Sequence, residues 1–90
     1  MKLAPIEKEL RAWARRNDEP EIGVGLVEEA AEHLKNARGS RESSSRRDRL
    51  IAHAEMNLDE AAKLERSHGM YERATALDRI VEDLQKAKYA

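Results

Sequence analysis

Glu28, Glu29 and Glu32 put three carboxylates within two turns of a helix-forming stretch. Carboxylates one turn apart are hard oxygen donors that can share a divalent cation and, through it, hold a substrate's phosphates. The same three residues also read as a solvated acidic face, because they point away from the apolar stripe of Val27, Ala30, Leu34 and Ala37. Glu65-Arg66-Ser67-His68 has the Glu-x-x-His spacing of di-iron carboxylate bundles, but such a centre needs a second copy and two further glutamates on facing helices. The chain has no second copy. His33 follows Glu29 by one helical turn, the spacing of a surface ion pair, and His53 lies beside the stripe that contains Ala54. The absence of cysteine excludes disulfides and thiolate metal sites. The expectation is therefore no cofactor and no metal, with Glu28, Glu29 and Glu32 as the only candidate ligands.

Arg38, Arg41, Arg46, Arg47 and Arg49 fall within a dozen residues whose only acids are Glu42 and Asp48. Clustered guanidinium groups bind phosphate or carboxylate oxygens in pairs, so this cluster is the candidate contact for a phosphate backbone or an acidic partner. No aromatic residue interleaves it to stack on bases. Arg46 and Arg47 also sit where a helix starts, the end at which the macrodipole repels cations. An acidic protein would offset that repulsion, and nucleic acid is the alternative partner. No serine–histidine–aspartate arrangement or glycine-rich phosphate loop occurs; Gly23-Val24-Gly25 has no third glycine and no preceding strand.

The run Glu28-Glu29-Ala30-Ala31-Glu32, preceded by a helix carrying Trp13, resembles the EExxE magnesium motif of the all-α nucleotide pyrophosphohydrolases over about thirty residues. That resemblance implies a magnesium-dependent hydrolase with Glu28, Glu29 and Glu32 among its ligands. The family pairs the motif with an ExxD on the next helix. No glutamate here has an aspartate three residues later, and Glu55 and Asp59 stand four apart.

The elements that must position these residues are helices. Leu3, Ile6, Leu10 and Trp13 step by three and four, with Pro5 suited to a first turn and Arg15 and Arg16 to a last. Asn17-Asp18-Glu19-Pro20 reads as a turn. A second helix is firm from about Gly25 and ends near Arg38, with Gly39 as its cap. Residues 40–45 are polar and of low complexity, and Ser45 with Asp48 approximates a capping box for a third helix. Leu50, Ala54, Leu58 and Ala61 follow one line of that helix, while Ala74, Leu77, Val81 and Leu84 follow another on nearly the opposite side. A turn at Ser67-His68-Gly69-Met70 resolves the conflict as a helical hairpin; one long kinked helix is the alternative.

The fold class expected is all-α, a single domain over 1–90 built as a small bundle of about four helices. One Trp, two Tyr and no Phe leave few large core residues. Small scaffolds compensate by association, so a homodimer is expected, its interface formed by Leu77, Ile80, Val81 and Leu84. Basic and acidic residues nearly cancel to a net charge of −1, which gives no global field toward nucleic acid or membrane. No run approaches the roughly 20 apolar residues of a membrane span, and the N-terminus lacks a secretory apolar run, so a cytoplasmic location is expected. The function these features favour is a non-catalytic protein-interaction module acting through apolar helix faces. The alternatives are a small nucleic-acid-associated regulator using the 38–49 arginines and the divalent-metal nucleotide hydrolase.

Overall fold

The computed structural model describes residues 2–41 and 44–89, with Tyr89 by its backbone alone. Four helices follow in order: α1 (Ala4–Arg16), α2 (Val24–Arg38), α3 (Ser45–Ser67) and α4 (Tyr71–Tyr89). The sequence stripes decide what each helix buries. Leu3, Ile6, Leu10 and Trp13 are all inside, as are Val27, Ala30, Ala31, Leu34 and Ala37 from α2 and Ile51, Ala54, Leu58 and Ala61 from α3. Glu7 pairs with Arg38 at 3.1 Å and Arg11 with Glu32 at 3.3 Å, so α1 and α2 run antiparallel. Arg66 pairs with Asp78 and Glu55 with Lys88, so α3 and α4 do too. α3 is the central rod, flanked by α2 and α4.

The expected break at Gly69 is present. Gly69 has φ +77°, the Met70 amide donates to the Glu65 carbonyl at 2.8 Å, and the Gly69 amide donates to Arg66 at 3.0 Å. This paired closure of a helix end requires a left-handed residue, which glycine adopts without a Cβ clash. The hairpin lets the opposed stripes of α3 and α4 face each other.

Two local expectations are corrected. The second helix starts at Val24, one residue before Gly25, because Val24 is buried and Gly23 takes the cap position. Gly23 is there for space: a Cβ would stand 3.1 Å from the Ala61 Cβ and carbonyl oxygen. Gly39 caps α2 as expected, its amide donating to the Lys35 carbonyl at 3.2 Å, but it does so with a right-handed φ of −82°; Ser40 adds to the closure, its amide donating to Ala37 and its hydroxyl to Asn36, each at 3.0 Å. The cap of α3 is Ser44, not Ser45; its hydroxyl accepts from the Arg47 amide at 3.1 Å, and Asp48 lies in the first turn. Glu42 and Ser43, within the polar low-complexity segment 40–45, lie outside the described residues.

The single chain closes its own core. Its accessible surface is 5598 Å², close to the roughly 5,400 Å² of a compact monomer of this mass. Its radius of gyration is 12.4 Å, against about 12 Å for a folded chain of this length. Alanine makes this possible: Ala30, Ala31, Ala37, Ala54, Ala61 and Ala74 are fully buried, so backbones approach closely and few large side chains fill the space.

Candidate functional site

The expected apolar interface is already occupied within the chain. Leu77 and Leu84 are fully buried and Ile80 is 7% exposed, while Val81 is half-buried against the same core. Association with a second copy would have to use other surface. Among the described residues the large apolar side chains left exposed are Met56 on α3 and Tyr71 at the start of α4, too few to make a contiguous apolar face.

Glu28, Glu29 and Glu32 lie on the exposed face of α2. Glu32 is tied to Arg11, Glu29 stands 3.7 Å from His33, and Glu28 lines a shallow cavity with Arg11, Arg15 and Asp18. The carboxylates are thus distributed among cations. Among the described residues no group of three or more His, Cys, Asp or Glu side chains is placed to hold a metal ion. The His33 and His53 rings meet across α2 and α3 with centroids 5.7 Å apart. Glu65 and His68 diverge: Glu65 is fully buried, whereas His68 is exposed, its Nδ1 3.0 Å from the Leu64 carbonyl.

Glu65 belongs to a cluster the sequence did not announce. Arg73 donates to Glu65 Oε1 at 2.6 Å, to the Asn17 carbonyl at 2.7 Å and to the Pro20 carbonyl at 3.0 Å. Its guanidinium lies 5.5 Å from the centre of the Trp13 ring, and Trp13 Nε1 donates to the Arg73 carbonyl at 3.1 Å. The Gly23 amide approaches Glu65 Oε1 at 3.4 Å. One ion pair therefore fastens the α1–α2 turn to the α3–α4 hairpin. Among the described residues, Glu65 Oε2 and Arg73 Nε have no hydrogen-bond partner. With Glu65 fully buried and Arg73 enclosed among protein groups, this is a lock inside the fold, with no surface to offer a ligand.

The arginine cluster is where the structure adds most. Antiparallel packing brings the start of α1, the end of α2 and the start of α3 to one end of the bundle. Lys88, near the end of α4, meets Glu55, ten residues into α3, so about 15 Å of α3 extends beyond that pairing. Arg41, Arg46 and Arg49 are exposed at this end; Arg38 is exposed and paired with Glu7; Arg47 is only 6% exposed. Between these elements lies a cavity of about 410 Å³, lined by Lys2, Leu3, Ala4, Pro5, Arg38, Ser40 and Arg47. Lys2 is the member that sequence reasoning missed. Its place beside residues more than thirty positions away follows only from the α1–α2 pairing.

No protein-family model matches this chain, and neither does any curated protein or solved structure. Among the described residues, no helix is long and apolar enough to cross a membrane.

Proposed function

We propose that this protein is an interaction module that engages an acidic partner protein through the basic end of its bundle. The observation that carries the reading is convergence: Lys2, Arg38 and Arg47 from three separate elements line one cavity, and Arg41, Arg46 and Arg49 lie exposed at the same end. Residues 35–49 hold six cations and two carboxylates in a chain whose net charge is −1. The field at this end therefore opposes that of the rest of the molecule. Such a local patch steers an oppositely charged partner and fixes its orientation. Arg46 and Arg47 occupy the first turn of α3, where the helix dipole is unfavourable to cations, and partner carboxylates would offset that repulsion. A protein is favoured over nucleic acid because, among the described aromatic side chains, Trp13 is buried and Tyr71 stands at the opposite end, so neither can stack a base beside the arginines.

The test is a titration with a fluorescent glutamate-rich peptide and, separately, with single- and double-stranded DNA of matched charge. The wild type should bind the peptide and lose it as salt rises, and Arg41→Gln/Arg46→Gln/Arg49→Gln should weaken binding at least tenfold at unchanged helix content. Preference for DNA would replace the protein partner with nucleic acid. Indifference to both probes at about 50 mM salt, where exposed charges are weakly screened, would overturn the reading.

A further inference from the structure

We infer that the cavity at the basic end is a binding site for a phosphate monoester group. The inference rests on the reading of that end as a binding surface and adds the chemistry of the group received. At about 410 Å³ the cavity falls within the roughly 300–1,000 Å³ of small-ligand sites. Its described lining supplies an ammonium from Lys2, guanidinium groups from Arg38 and Arg47 and the Ser40 side chain, and contains no carboxylate. Guanidinium forks match pairs of phosphate oxygens, and an ammonium adds a point charge. Donors from three elements around one space suit the three terminal oxygens of a monoester better than the two of a carboxylate. Arg47, 6% exposed in the first turn of α3, forms part of the wall of this cavity. The first residues of α1 line the same space, and Leu3 at its cap provides no side-chain acceptor for the first-turn amides.

One competitor is built in. Arg38 Nε donates to Glu7 Oε2 at 3.2 Å, and Glu7 also stands 3.7 Å from Arg11. An incoming phosphate must share or displace the Glu7 carboxylate at Arg38. Removing the carboxylate should therefore tighten binding, which a diffuse basic surface would register only weakly.

The experiment is an amide chemical-shift titration of the full chain at fixed ionic strength, with inorganic phosphate as one probe and a phosphoserine peptide as the other. Phosphate should move the amides of Leu3, Ala4 and Ser40. Lys2→Gln and Arg38→Gln should each weaken binding about tenfold, as expected for the loss of one charge-assisted bond. Glu7→Gln should strengthen it, and Lys63→Gln, an equal charge change on an exposed side chain of α3, should leave it unaltered. Lys2 is exposed and packs no core, so its variant reports even where replacement of Arg47 disturbs folding. Tighter binding of the peptide with the same variant pattern would identify a phosphorylated protein as the source; equal binding would identify the free anion. Uniform weakening by Lys2→Gln and Lys63→Gln, or no shift with either probe, would overturn the site. If the glutamate-rich peptide still binds in that case, the interaction module stands without the phosphate site.

Discussion

Arg73→Met tests how the two turns at the far end of the bundle are held together. The substitution leaves Glu65, fully buried, without the guanidinium that meets it at 2.6 Å. Stranding one member of a buried ion pair costs about 3–5 kcal/mol. It also removes the donors to the Asn17 and Pro20 carbonyls and the contact over Trp13, the last worth about 0.5–1 kcal/mol. The total, about 4–6 kcal/mol, is comparable to the whole stability of a small domain, about 5–15 kcal/mol. Arg73→Met should therefore lower the melting temperature by about 20 °C or more, or leave the chain largely unfolded, as followed by circular dichroism at 222 nm and urea titration. Glu65→Leu/Arg73→Met, which removes both charges and keeps apolar volume, should recover most of the loss, because replacing a whole buried pair is often neutral. A loss below about 1 kcal/mol for the single variant, or a double variant no better than the single, would show that the pair is not the lock described.

The two glycines at the start of α2, Gly23 at its cap and Gly25 in its first turn, should respond with opposite sign. Gly23→Ala drives a Cβ to 3.1 Å from Ala61 and should destabilise by about 1–3 kcal/mol, whereas Gly25→Ala meets nothing within 4 Å and should stabilise by about 1 kcal/mol through helix propensity. Thermal melts that move both variants the same way would contradict the close approach of α2 to α3. The chain should also sediment as a 10.3 kDa monomer at micromolar concentration, since Leu77, Ile80 and Leu84 are consumed in its own core; a stable dimer would show that another face associates.

Local periodicity made most of the fold legible. Leu3, Ile6, Leu10 and Trp13 announced α1, and the reversal of face between Ala61 and Ala74 required the break that Gly69 provides. Sequence reading weighed the large residues and not the alanines: Ala54, Ala61 and Ala74 close the helix spacing that a bulky core would otherwise have to fill. Ser43-Ser44-Ser45 offers three consecutive hydroxyls, so sequence alone did not distinguish Ser44 as the cap. Of the basic end, the arginines were visible because they are contiguous. Lys2 was not, because only tertiary pairing of α1 with α2 brings it there. The Glu65–Arg73 lock was hidden for the same reason, since its other partners, Trp13, Asn17 and Pro20, lie more than forty residues earlier.

Mapping the bound surface tests the central claim most directly. With a glutamate-rich peptide added to the isotopically labelled full chain at about 50 mM salt, amide shifts should concentrate in residues 38–49 and at the start of α1, and fade as salt rises. Shifts centred instead on Met56 or Tyr71, and insensitive to salt, would contradict the account and move the interface to the exposed apolar residues of α3 and α4.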